Sequence, residues 1–148
     1  MPQAHTEQFG ELDYTEASTL TFPRGLPGFE ECHHFVLLDE PALAPLVHMQ
    51  SLEIAELCFL AMPVRSVDAA YEIALSPEDR EAADLDEAAE PGRATLDLAL
   101  LSVATDGRLT ANLLAPVVIN LTTRTAVQAV RADAKYSHQH VLAEADPC

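Results

Sequence analysis

Ala94-Thr95-Leu96-Asp97-Leu98-Ala99-Leu100-Leu101-Ser102-Val103-Ala104-Thr105, followed by Asp106-Gly107, is the stretch on which the fold class turns. Leu96, Leu98 and Leu100 alternate with Thr95, Asp97 and Ala99, the period of two that sends successive side chains to opposite faces of a strand. The leucine face is expected to be buried and the other partly wet. Asp106-Gly107 predicts a type I′ hairpin turn. Outward from this segment, apolar residues arrive in runs of four to ten broken by Pro, Gly and acidic residues, a spacing that suits short strands better than long amphipathic helices. Strands are predicted at residues 19–22, 34–38, 46–51, 57–62, 71–75, 94–105, 109–112, 117–121 and 125–131. The fold class is therefore all-β.

One segment departs from this pattern. Ser76-Pro77-Glu78-Asp79 sets a capping hydroxyl, a proline at the first helical position and two carboxylates in the first turn, where the helix dipole favours negative charge. A short acidic helix over 77–85 is predicted. Residues 76–90 hold seven carboxylates against the single Arg80, and the whole chain has 24 Asp and Glu against 8 Lys and Arg, a formal charge of −16. That balance argues against independent binding to duplex nucleic acid, which needs cations on phosphates, and points to a basic partner. Glu78, Asp79, Glu81, Asp84, Asp86 and Glu87 are the candidate partner-binding residues. Their alternative role is that of a solvated helix face.

At 148 residues, 49% of them apolar, the chain has the size of a single domain able to form a core without disulfides or metal. Only residues 1–5 and 143–148 are expected to be poorly ordered. Cys32, Cys58 and Cys148 form no CxxC pair, which suits reduced thiols in a cytoplasm. No signal-peptide core and no run of about 18 apolar residues is present, so neither export nor a membrane partner is expected. His138-x-His140 supplies two imidazoles, too few for a closed metal site, and these are read as exposed tail histidines. Nucleophile-elbow, zincin, phosphate-loop and dinucleotide motifs are all missing, so catalytic residues, cofactor and metal are each predicted to be none.

Two turn motifs carry more information. Gly25-Leu26-Pro27-Gly28 predicts a type II turn from Leu26 to Phe29, with Pro27 presetting φ and Gly28 supplying the positive φ. Phe29 is expected to plug the end of the β-structure, with a partner-facing ring as the alternative. Asn112-Leu113-Leu114-Ala115-Pro116 is read as a structural turn in which Asn112 bonds its own backbone and Pro116 ends one element before Val117.

Taken in order, Phe22-Pro23-Arg24-Gly25-Leu26-Pro27-Gly28-Phe29-Glu30, then Met49-Gln50-Ser51, then Asn112-Leu113-Leu114-Ala115-Pro116-Val117-Val118-Ile119-Asn120 closely resemble the bacterial flagellar assembly factor family FliW. The likeness runs from about Thr6 past Tyr136. It departs at Met49, where the family usually has Leu, at Leu121-Thr122-Thr123, and in the tail after Leu142. The resemblance implies a small antiparallel β-barrel-like domain that binds proteins and performs no chemistry. It also implies two partners: flagellin in the cytoplasm, and, once flagellin is exported, the RNA-binding translational repressor CsrA, whose repression of flagellin synthesis is relieved. Gly25, Pro27, Gly28, Phe29, Gln50, Ser51, Asn112, Leu114, Pro116 and Asn120 are the signature positions, structural or partner-facing. The repressor is expected to be antagonised by docking beside its RNA surface rather than by mimicry of RNA. A β-barrel holding a small ligand is the alternative from a different class.

Overall fold

The computed structural model describes residues 3–6, 10–39, 41–133 and 135–143. In chain order its strands are β1 (Gln3–Thr6), β2 (Gly10–Asp13), β3 (Thr19–Thr21), β4 (His34–Asp39), β5 (Val47–Ser51), β6 (Cys58–Pro63), β7 (Thr95–Val103), β8 (Leu109–Ala111), β9 (Val117–Asn120), β10 (Ala126–Gln128) and β11 (His140–Ala143). Two short helices, α1 (Val64–Val67) and α2 (Pro77–Ala82), and two 3-10 turns complete it. Every named strand pair is antiparallel, and among the described residues no helix is long and apolar enough to cross a membrane.

The alternating segment is the hub. One edge of β7 pairs with β6 (Leu98↔Pro63 to Leu100↔Ala61), while the other pairs with β9 along Thr95–Leu98 and with β8 along Leu101–Val103. The order β10-β9-β7-β6-β5-β4-β3 forms a curved sheet that is barrel-like but not closed, since its two ends meet at one parallel bridge, Thr21↔Thr125. Leu20, Phe22, Leu26, Phe35, Met49, Leu98 and Ile119 pack in one cluster inside the curve, each no more than 1% exposed. The other face of β7 is covered as well. Ala99 packs with Val64, Tyr71 and Leu113, while Val118 and Val127 pack with Ala83 of the α2 end.

That covering corrects the expected wet face: Thr95 and Asp97 are 4% and 6% exposed. A period of two reports which side of a strand a residue takes, not whether that side meets water. Residues 71–75 teach a related lesson. Tyr71, Ile73 and Leu75 do turn inward while Glu72 and Ala74 are exposed, yet no strand forms. Glu72 N–H is bonded by the Tyr136 hydroxyl at 3.1 Å and Glu72 C=O by Arg131, so side chains stand in for a ladder.

The Asp106-Gly107 turn is also not type I′. Gly107 has φ +87°, but Asp106 is not among the residues of positive φ, as type I′ requires. Gly107 N–H bonds Ala104 C=O at 2.9 Å and Ala104 N–H bonds Arg108 C=O at 2.8 Å, the three-residue loop with a glycine bulge. Asp106 also accepts Arg108 Nε at 2.7 Å, a bond that suits this geometry. The predicted strand over 125–131 shortens to β10, and the helix over 77–85 to α2. Gln3–Thr6, at the expected frayed end, pair with β2. Residues 1–2 and 144–148, Cys148 among them, lie outside the described residues, and Cys32 and Cys58 are free thiols. His138 is exposed and His140 half-buried at the start of β11.

Candidate partner-binding surface

The acidic segment begins as a well-capped helix. Ser76 Oγ accepts Asp79 N–H at 3.0 Å and Pro77 occupies the first turn. At the other end Asp84 takes φ +59°, with Asp84 N–H bonded to Glu81 C=O and Leu85 N–H to Arg80 C=O, at 3.1 and 2.8 Å. This is the Schellman arrangement with Asp in the place glycine usually takes. Arg80 then reaches forward to Asp86 C=O at 3.0 Å and Ala89 C=O at 3.1 Å, which folds residues 84–90 back against the helix.

The six candidate acids are thereby sorted. Glu78, Glu81, Asp84, Asp86 and Glu87 are exposed. Asp79 is not: it is 8% exposed and accepts Arg24 Nη2 at 2.8 Å, tying α2 to the turn of the first signature. Asp79 is therefore removed from the partner-facing set, because its charge is already matched inside the molecule. A cleft of about 770 Å³ is lined by Glu81, Asp84, Asp86 and Glu87 together with Arg80, Leu75, Pro77 and Leu85. Four carboxylates beside apolar side chains, with Arg80 already bonded to the Asp86 and Ala89 carbonyls, suit a partner that offers both cations and hydrocarbon.

The signature residues are chiefly builders of turns. Phe29 N–H bonds Leu26 C=O at 2.7 Å and Gly28 has φ +86°, the expected type II turn. Gly25 is also left-handed, at φ +64°, and a Cβ there would meet Glu30 C=O at 2.6 Å. Pro27 is exposed at the turn's tip. Phe29 does not plug the fold: it is 39% exposed, its ring edge-on to Phe59 at 5.9 Å, so the turn holds it half out in solvent. Gln50 is fully buried and Nε2 donates to Ser51 C=O at 3.0 Å and Ala55 C=O at 3.3 Å, while Oε1 lacks a partner among the described residues. Ser51 Oγ accepts Glu53 and Ile54 N–H at 3.1 and 2.9 Å, so this pair shapes the β5–β6 turn.

Asn112 Oδ1 accepts the N–H groups of Leu114 and Ala115 at 3.1 and 3.0 Å. The loop it starts explains how β8 and β9 share one edge of β7: five residues bulge out between them, and Pro116 returns the chain to the ladder. Leu114 is half-buried and its C=O accepts Arg131 N–H at 2.9 Å. Asn120 is 6% exposed and uses both ends of its amide. Nδ2 donates to Ala83 and Asp84 C=O at 3.1 and 3.0 Å, and Oδ1 accepts Thr122 and Thr123 N–H at 2.9 and 3.3 Å. The second signature thus ends on the residue that docks the acidic helix.

A clamp around Tyr71 was not singled out from the sequence. Its hydroxyl donates to Leu113 C=O at 2.6 Å, its ring lies 4.3 Å from that of Tyr136, and Arg131 sits 4.8 Å over Tyr136 while pairing with both oxygens of Asp133. The Tyr136 position inside the resemblance was the available signal. Among the described residues no cluster of His, Cys, Asp and Glu is arranged to hold a metal.

Comparison with known proteins places this arrangement. The family model described as FliW protein matches residues 3–142. The flagellar assembly factor FliW of Natranaerobius thermophilus is 32% identical over 134 residues, covering 90% of this chain and 87% of that protein. That of Bacillus subtilis is 30% identical over 142 residues, covering 93% and 94%. A crystal structure of the flagellar assembly factor FliW superposes with a TM-score of 0.81 at 30% identity, over 95% of this chain and 96% of that one. With the match running from β1 into β11, the chain belongs to the FliW family.

Proposed function

We propose that this chain is a cytoplasmic flagellar assembly factor that works by binding proteins and carries out no chemistry. It holds flagellin and, when flagellin has been exported, the freed protein binds the RNA-binding repressor CsrA and relieves repression of flagellin synthesis. Membership of the FliW family along nearly the whole chain carries this reading. The repressor arm gains support from charge: five exposed carboxylates around α2 on a molecule of net charge −16 suit a protein that must be cationic to bind RNA. The flagellin arm has apolar support in Phe29, held half out of the fold beside the signature turn. The interior of the sheet is filled by side chains, which disfavours a small ligand held inside it.

Titration of the protein into CsrA bound to labelled RNA tests the reading. Docking beside the RNA surface gives inhibition that saturates and that excess RNA does not overcome, and added flagellin reverses it. Full displacement that excess RNA outcompetes would instead mean direct mimicry. Calorimetry showing no binding to flagellin or to CsrA would overturn the reading altogether.

A further inference from the structure

The sheet stops short of closing for a reason written in the first signature. At the bridge Thr21↔Thr125, one residue before β10, Thr21 N–H donates to Arg124 C=O at 2.9 Å. A parallel ladder would next draw its donor from residue 23, two positions on, and Pro23 has no N–H to give. The chain then turns away at Gly25. Among the described residues no strand pairs with the outer edge of β10.

The ladder with β9 fixes which groups that edge presents. Ala129 N–H donates to Pro116 C=O and Arg131 N–H to Leu114 C=O, both at 2.9 Å, in the same register as Val127↔Val118. Odd-numbered residues therefore bond inward, and the N–H groups of Gln128 and Val130 point out. Among the described residues nothing bonds them. Gln128 and Val130 line a cleft of about 470 Å³ together with Glu30, which follows the first signature turn, and Glu78 of α2. Val130 is 57% exposed, and Arg24 and Asp79, which also line the cleft, form an ion pair at 2.8 Å that ties the first signature to α2.

We propose that the outer edge of β10 accepts an extended basic segment of a partner protein as an added strand. Main-chain bonds to Gln128 and Val130 hold the segment, an apolar side chain covers Val130, and basic side chains meet Glu30 and Glu78. Charge decides the occupant. A second copy would set Glu30 and Glu78 against their own equivalents on another molecule of −16, whereas a cationic segment neutralises them.

The probe is an acetylated, amidated octapeptide of alternating Val and Lys, added to the isotopically labelled full chain. The expected result is slowing of amide exchange by about tenfold or more at Gln128 and Val130, with Ala129, already bonded, unchanged. Methylating alternate peptide amides should weaken binding by about tenfold or more, and Glu30→Gln with Glu78→Gln by roughly threefold or more. Both acids are exposed, so these variants keep the fold. Lack of binding at millimolar peptide overturns the proposal, as do perturbations confined to Glu81, Asp86 and Glu87. Protection at Gln128 that instead grows with protein concentration in the absence of peptide assigns the edge to a second copy and also overturns it.

Discussion

Gly25 and Gly28 sit three residues apart in one signature, both left-handed, yet alanine should not cost the same at each. At Gly28 a Cβ meets nothing within 4 Å, so Gly28→Ala carries only the conformational penalty, about 1 kcal/mol. At Gly25 the same methyl lands 2.6 Å from the backbone oxygen of Glu30, which cannot swing aside as a side chain would. Gly25→Ala should cost roughly 1–3 kcal/mol more. Urea denaturation of the two variants decides it, and equal midpoints would mean the turn relaxes freely. Asp97 makes a second single-residue case. Burial raises its pKa, against the hydrogen bond from Thr95 and the charge of Arg65, which lower it. The folded state therefore holds this proton to higher pH than the unfolded chain does. The group's contribution to stability is complete below the unfolded value and is lost as pH rises through the raised folded value. Asp97→Asn abolishes that loss, since its side-chain oxygen still accepts from Thr95. The stability of the variant relative to wild type should grow as pH rises above the ordinary aspartate value of about 4, and a difference independent of pH would show that Asp97 ionises as freely folded as unfolded.

Helix α2 is six residues long, too short to persist by propensity, so its place depends on what holds its ends. Ser76 caps one end, Arg24 grips Asp79, and Asn120 takes the two carbonyls beyond the other. Asn120→Ala strands those carbonyls and the N–H groups of Thr122 and Thr123, a loss of about 2 kcal/mol or more. Hydrogen exchange should then show Ala83 and Leu85 losing protection before the β5–β6 ladder does, and uniform loss would deny Asn120 a local role. Much of this was legible beforehand. Ser76-Pro77-Glu78-Asp79 specified the helix start, Gly25-Leu26-Pro27-Gly28 the turn, and alternation the central strands, because each is a local rule acting on adjacent residues. What was hidden depends on distant contacts. Residues 71–75 alternate like a strand but find Arg131 and Tyr136 in place of a ladder, and α1 is a single turn with no side-chain cap bond to announce it. For the same reason Asp79 looked like surface: nothing near it in sequence reveals Arg24, 55 residues away.

Across the molecule as a whole the decisive quantity is the imbalance of 24 acids over 8 bases, and the bases are largely spent internally. Arg24, Arg93, Arg108, Arg131 and Lys135 each pair with a carboxylate of the chain. The field outside is therefore that of the unmatched acids, and those of the α2 region lie together on exposed backbone. A cationic repressor approaching this field should be steered, so its association rate should fall as salt rises and screening shortens to about 8–10 Å. An apolar contact with flagellin should depend on salt only weakly. Replacing exposed Glu78, Glu81 and Glu87 together with Lys reverses the local field while sparing Asp79, which holds Arg24, and Asp84, whose left-handed backbone ends the helix. The repressor's association rate should then drop by about an order of magnitude or more, with flagellin affinity kept. Since only Glu78 lies in the first turn of α2, loss of its favourable contact with the helix dipole should cost no more than about 1 kcal/mol, a small shift in Tm. Surface-plasmon kinetics at two salt concentrations measure both arms, and an unaltered association rate for the triple variant would leave these carboxylates as a solvated helix face.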